Sequence, residues 1–211
     1  MIFLSLQNQG KVYTSLMKQI NIQMPDFKNF DWKSPINTIS ALSVLGAIVY
    51  MIYPEIIVYG GIYNYPVGFF GFFEELFLYS FLHGWFWHVL SNVVFFIFIG
   101  RIIEFSHGRI WTWYLWGFTT VFVGIFLYLF SESPTIWWSG FAMALLAVYA
   151  YDLYKNRQSD YKWALLLIVL NLLIGFGASV SFMWHFAGAI AGGLYVWLRN
   201  KYPHVKLPQF R

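Results

Sequence analysis

The sequence predicts an all-α polytopic membrane protein, a six-transmembrane-helix bundle with both termini cytoplasmic. Three observations predict it. The 211 residues are 59% hydrophobic and only 10% charged, against about 25% charged in a soluble domain. Six apolar stretches are separated by polar turns. With those stretches taken as crossings, all thirteen Lys and Arg residues fall on one side, which the positive-inside rule makes the cytoplasm. The alternating pattern of a membrane barrel is absent.

The elements follow in order. Residues 1–34 form a polar cytoplasmic segment with Lys11, Lys18, Lys28 and Lys33. The first apolar run covers about 35–53 and stops at Pro54. A loop over 56–75, rich in Gly and aromatics and free of Lys and Arg, is expected to lie in the outer interface, where Tyr and Trp rings are favoured. The second run covers about 76–103, and Arg101 and Arg109 bracket the turn after it. The third covers 110–130, the fourth about 135–151, and Lys155, Arg157 and Lys162 make the next basic turn. The fifth, 163–176, is short for a crossing of about 20 residues. The sixth covers 178–198, and Arg199, Lys201, Lys206 and Arg211 close the chain. The reading is one membrane domain over 35–200 and a cytoplasmic tail over 201–211. Residues 1–6 are too short an apolar run for a cleavable signal peptide, so the first crossing is expected to direct insertion.

Composition also excludes. The net charge of +4 is dispersed over four short segments, as topology signals are, so no nucleic-acid surface is expected. There is no cysteine, which removes disulfides, thiolate nucleophiles and Cys-ligated metals.

The topology gathers polar residues at one depth. Helices two, four and six begin at the outer face. His83, His88 and Asn92 lie in the outer half of the second, Ser139 near the start of the fourth and His185 near the start of the sixth. At 1.5 Å rise per residue all of them fit within about 10 Å of the outer surface. Polar groups there are costly and mark function. A serine needs a base to become a nucleophile, and histidine titrates near neutrality. No Asp or Glu matches that depth, so a Ser–His dyad is expected rather than a triad. His88 and Asn92, four residues apart, share a helix face, and with backbone N–H groups near Ser139 they can donate to an oxyanion. Gly188 and Gly192 make a GxxxG, and Gly140 follows the serine; small residues let the fourth and sixth helices approach closely. His83, His88 and His185 lack a carboxylate or thiolate to complete a metal site, so no metal is expected. His107 and His204 are expected to be solvated.

These residues carry a resemblance. His83, His88 and Asn92 stand as H-x4-H-x3-N, Ser139-Gly140 as the second half of G-x-S-G, and His185, Gly188 and Gly192 as H-x2-G-x3-G. The set, in this order, resembles the signature of rhomboid intramembrane serine proteases over about residues 36–200. The resemblance implies Ser139 as nucleophile, His185 as base, His88 and Asn92 as oxyanion donors, and His83 as a supporting residue. It implies single-pass transmembrane proteins as substrates, in contact with membrane lipid, and no cofactor. Two positions depart from the family. Trp137 replaces the first glycine of G-x-S-G, where an indole would crowd a substrate, and the loop after the first helix lacks the family's Trp-Arg pair.

Three alternatives stay open. One is a rhomboid-like pseudoprotease that binds transmembrane segments without cutting; another is a rhomboid-like sorting protease for C-terminal anchor signals. A channel or transporter predicts polar residues along a whole path, whereas this polar set stops in the outer half. A bacterial cytoplasmic membrane fits the short, cysteine-free core. The oligomeric state is not specified by the sequence.

Overall fold

The computed structural model describes residues 31–64, 69–132, 134–136, 139–176 and 179–201. Trp137, His204, nearly all of the N-terminal segment and the tail after Lys201 lie outside them. The described residues form α1 (Pro35–Ile52), α2 (Ile56–Gly60), α3 (Phe69–Leu78), α4 (Phe86–His107), α5 (Arg109–Phe130), α6 (Ser139–Lys155), α7 (Tyr161–Phe176) and α8 (Ser179–Lys201). Helices α1, α4 and α5 are long and apolar enough to cross a membrane. The α7 helix is apolar but has 16 residues. Large apolar side chains such as Ile52, Phe98, Leu129 and Ile174 are exposed on the bundle's outside, the surface a lipid phase would cover.

Local chemistry sets the helix ends. Ser34 caps α1, its hydroxyl accepting from the Asn37 N–H at 3.2 Å, and Pro35 starts the first turn. One residue, Gly108, separates α4 from α5. Its φ of 89° lies where a side chain would be strained. Within α4, residues Phe96–Gly100 widen into a π-helical turn, and a β-carbon at Gly100 would lie 2.6 Å from Ile36 Cδ1.

The structure corrects the expected second helix. The run over 76–103 is broken between α3 and α4, so His83 precedes the helix that carries His88 and Asn92. Side chains and turns satisfy the backbone there instead. Ser80 Oγ donates to Phe77 O at 2.7 Å, Leu82 N donates to Leu78 O, and His83 Nδ1 lies 2.9 Å from Phe81 O. Such local bonds compete with helix.

The segment expected as an outer loop contributes α2 and most of α3. Ile62, Leu76 and Tyr79 are buried and close on Gly124 of α5, where a β-carbon would lie 2.2 Å from Leu76 Cδ2. Tyr79 donates to Thr120 O at 2.6 Å. Part of the segment's apolar character goes into this packing, through Ile62, while Val58, Tyr59 and Phe73 stay exposed. The segment also explains why the fourth long helix starts at Ser139 rather than 135: Thr135 O accepts from Ile62 N at 3.0 Å and Ser131 O from Asn64 N at 2.6 Å. Ser131 and Thr135 are thus used in pairing with Asn64 and Ile62.

His107 is buried, not solvated. The tight α4–α5 turn folds it between the ends of α6 and α8. Its Nε2 is 2.5 Å from Asp152 Oδ2, Arg199 Nη1 is 2.8 Å from its Nδ1, and its ring stacks on Tyr195. Arg199 also lies over Trp111 at 5.7 Å, and Tyr195 donates to Trp111 O. The imidazole joins α4, α6 and α8, and Arg199 and Tyr195 extend the cluster to α5.

Two buried glutamates make a contrast. Glu104 accepts from Ser34 at 2.7 Å and lies 3.5 Å from Arg101 and 3.6 Å from Arg109. Glu75, on α3 and outside the candidate spans, has an Oε2 with no hydrogen-bond partner among the described residues, and burial holds its carboxyl above the ordinary 4.5. Glu104→Ala should therefore destabilise the protein by about 1–2 kcal/mol, since it takes the acceptor from the buried Ser34 hydroxyl, while the two arginines are solvated enough to add little. Glu75→Gln should stabilise it at neutral pH. The folded state resists ionising Glu75, so the gain is absent below pH 4.5, grows as pH rises towards the raised value, and is then constant. Thermal melts across pH check both; a Glu75→Gln gain that peaks in acid would refute the second.

Candidate functional site

The site is built where α6 and α8 touch backbone to backbone. The buried face of α8 runs through Trp184, Ala187, Gly188, Ala191 and Gly192. A β-carbon at Gly188 would lie 2.1 Å from Gly140 O, and one at Gly192 would lie 2.5 Å from Ala144 O. A β-carbon at Gly140 would in turn lie 3.4 Å from Trp184 O. Ser139 adjoins Gly140, and His185 adjoins Trp184, so the contact brings their positions together at one end of the helix pair. Ser139 is the first residue of α6, and both side chains are half-buried.

The imidazole of His185 is bonded elsewhere. Its Nδ1 lies 3.1 Å from Asn171 O on α7, and it makes no hydrogen bond to Ser139 in this structure. A carbonyl only accepts, so Nδ1 carries the proton and the lone pair of the neutral ring is on Nε2.

The other polar residues converge from α4 and the segment before it. His83, fully buried, has Nε2 3.2 Å from Asn92 Nδ2 and Nδ1 2.9 Å from Phe81 O. By the same reasoning Nδ1–H donates to Phe81, and Nε2 accepts from the Asn92 amide. The His83 and His88 rings lie edge to face with centroids 5.6 Å apart, and His88 is near enough to interact electrostatically with both His83 and His185. The five expected residues thus form one neighbourhood. No group of three His, Cys, Asp or Glu side chains among the described residues could hold a metal ion.

Asn171 was not anticipated. It is a lone amide in the apolar run 163–176, and an intramembrane polar residue is a signal worth following. The signal is indirect, because the group that meets His185 is the main-chain carbonyl. The Asn171 side chain turns back to donate to Leu167 O at 2.8 Å.

The sequence model of the Rhomboid domain matches residues 71–202, more than half the chain. The chain belongs to the rhomboid family. The match begins in α3 and runs past α8, so it includes every residue of the candidate site. The chain is also 31% identical over 136 residues to RHOMBOID-like protein 5 of Arabidopsis thaliana, covering 59% of this chain and 44% of that protein. It therefore spans less than half of the relative's length. Family and apolar helices together make it an integral membrane protein. The plant relative lends no support to the bacterial membrane expected from the sequence.

Two glycines of this rhomboid separate contact from propensity. A β-carbon at Gly188 meets backbone that cannot yield, whereas one at Gly193 meets nothing within 4 Å. Gly188→Ala should destabilise the bundle by about 1–3 kcal/mol. Gly193→Ala should be neutral or stabilising by up to about 1 kcal/mol. Equal unfolding midpoints for the two variants would sink the proposed contact.

Proposed function

We propose that the chain is a serine endopeptidase of the rhomboid type, cutting transmembrane substrates near the outer face of the membrane through a Ser139–His185 dyad. The observation that carries this reading is the Gly140–Gly188 backbone contact, which brings the positions of Ser139 and His185 together beside His88 and Asn92. In the proposed topology α1, α4, α5, α6, α7 and α8 are the six crossings of a domain over 35–200. Residues 1–34 and 201–211 are cytoplasmic, and the Ser139 end of α6 faces outward.

The chemistry follows from the groups. Ser139 Oγ attacks the scissile carbonyl carbon while His185 Nε2 takes its proton. The carbonyl oxygen becomes an oxyanion, held by donors from His88, Asn92 Nδ2 and the backbone N–H of Ser139. His83 accepts one amide hydrogen of Asn92 and leaves the other for the oxyanion. Collapse breaks the C–N bond, and His185 gives its proton to the leaving amine. Water, deprotonated by His185, then attacks the acyl-enzyme and releases the carboxylic product and free Ser139. A substrate helix hides its carbonyls in its own hydrogen bonds, so small, helix-breaking residues are expected at the cleavage site. No cofactor takes part in these steps.

A second reading, a binder of transmembrane segments that does not cut, draws on Trp137 in place of the family's glycine. A sorting protease for C-terminal anchor signals would use the same dyad.

Cleavage of a generic transmembrane substrate in liposomes decides. Ser139→Ala and His185→Ala should each abolish it, and only proteins retaining Ser139 should be labelled by a fluorophosphonate. Asn92→Ala should lower kcat about 100-fold with little change in KM. A wild type that neither cleaves nor labels, and stays silent on Trp137→Gly, would favour the binder; gain of both on that substitution would mean an active framework blocked at one position.

A further inference from the structure

We infer that the main-chain carbonyl of Asn171 is the orienting acceptor for His185, the group that fixes the base in its working tautomer. This deepens the protease reading and rests on it.

A Ser–His pair needs its imidazole held with the lone pair towards the serine. In a triad a carboxylate does this by accepting from the far ring nitrogen. The helices around Ser139 offer no carboxylate for the task. On α6 the acid is Asp152, engaged with His107. Helices α7 and α8 contain no Asp or Glu, and their bases, Lys162, Arg199 and Lys201, sit at or near the end away from His185. Yet His185 Nδ1 is bonded, at 3.1 Å, to Asn171 O. The carbonyl has a second lone pair beyond its helical bond, so it accepts without unwinding α7.

The neutral acceptor suits the setting. A carboxylate at that depth would need its own charge partner; a helix carbonyl needs none. The arrangement also makes α7 part of the site without contributing a side chain. Ala164 and Ile168 of α7 pack against Leu146, Ala150 and Leu153 of α6, while Leu173 and Ile174, beyond Asn171, are exposed. The base is held in register only while α7 is seated, so Asn171 O is a positioning group acting through His185.

The test uses the full chain in nanodiscs. Ring-nitrogen NMR of labelled histidine, with the His185 signal assigned by loss in His185→Gln, reads the tautomer. Incorporating the α-hydroxy analogue of leucine at position 172 turns the 171–172 amide into an ester and weakens the Asn171 carbonyl as an acceptor. The same analogue at position 170 is the control, matched for its loss of a helical N–H, and thermal melts compare the two. The expected result is the Nδ1–H tautomer in the wild type. The 172 ester should shift it to a mixture and lower kcat about fivefold at constant KM, and the 170 ester should do neither. An Nε2–H tautomer in the wild type overturns the inference, as does a tautomer indifferent to the 172 ester. If the wild type cleaves nothing while the Nδ1–H tautomer responds to the ester, the pairing stands and the protease reading falls.

Discussion

The structure depends on one close approach, the backbone contact between α6 and α8 at Gly140 and Gly188. Helices in lipid gain little from burying apolar surface against one another, because the surrounding tails are equally apolar. What holds them is van der Waals contact at short range, and glycine shortens the range. At Gly188 even a methyl group would overlap Gly140 O. The same approach sets the geometry of the candidate site, since Ser139 and His185 are the neighbours of the touching residues and stay close while the contact holds. Stability and site geometry are here one interaction.

Around that contact the polar groups divide by kind. The end holding Ser139 uses neutral partners: a hydroxyl, imidazoles, an amide and main-chain carbonyls. The opposite end uses charges, with Glu104 among Ser34, Arg101 and Arg109, and Asp152 and Arg199 on His107. The division has a physical basis. An ion in a poorly solvated interior must be paired at a cost in desolvation, whereas neutral donors and acceptors need only meet one another. Charge is kept where paired groups also fasten helix ends, and the candidate site is held by neutral hydrogen bonds.

Much of this was legible in the sequence because lipid restricts the solutions. Apolar runs gave the long helices to within a few residues, except for the start of the second, and the common depth of Ser139, His185, His88 and Asn92 pointed to one candidate site. The failures lie where the backbone finds partners that composition does not encode. The break before His83 comes from Ser80 and His83 bonding nearby carbonyls, and the late start of α6 from the bridge between Ile62 and Thr135. His107 looked solvated because it lies beside a turn bracketed by Arg101 and Arg109, yet its partners Asp152 and Arg199 come from the distant ends of α6 and α8. Asn171 escaped notice because a carbonyl is common to every residue, and only the packing of α7 selects this one.

The two histidines bonded to carbonyls share a design. His83 donates through Nδ1 to Phe81 O and accepts at Nε2 from Asn92; His185 donates through Nδ1 to Asn171 O and keeps Nε2 open. In both, a main-chain carbonyl fixes the proton on one nitrogen and reserves the other for a partner in the site. Each carbonyl is itself held by helix packing. Phe81 O rests against α1, where a β-carbon at Gly46 would lie 2.3 Å from it, and Asn171 O belongs to α7. The protonation pattern of the site is therefore written in the positions of α1 and α7. Neither helix carries a residue of the H-x4-H-x3-N, Ser-Gly or H-x2-G-x3-G sets, and a change in the seat of either would reach Asn92 or His185 without altering any of the five site side chains.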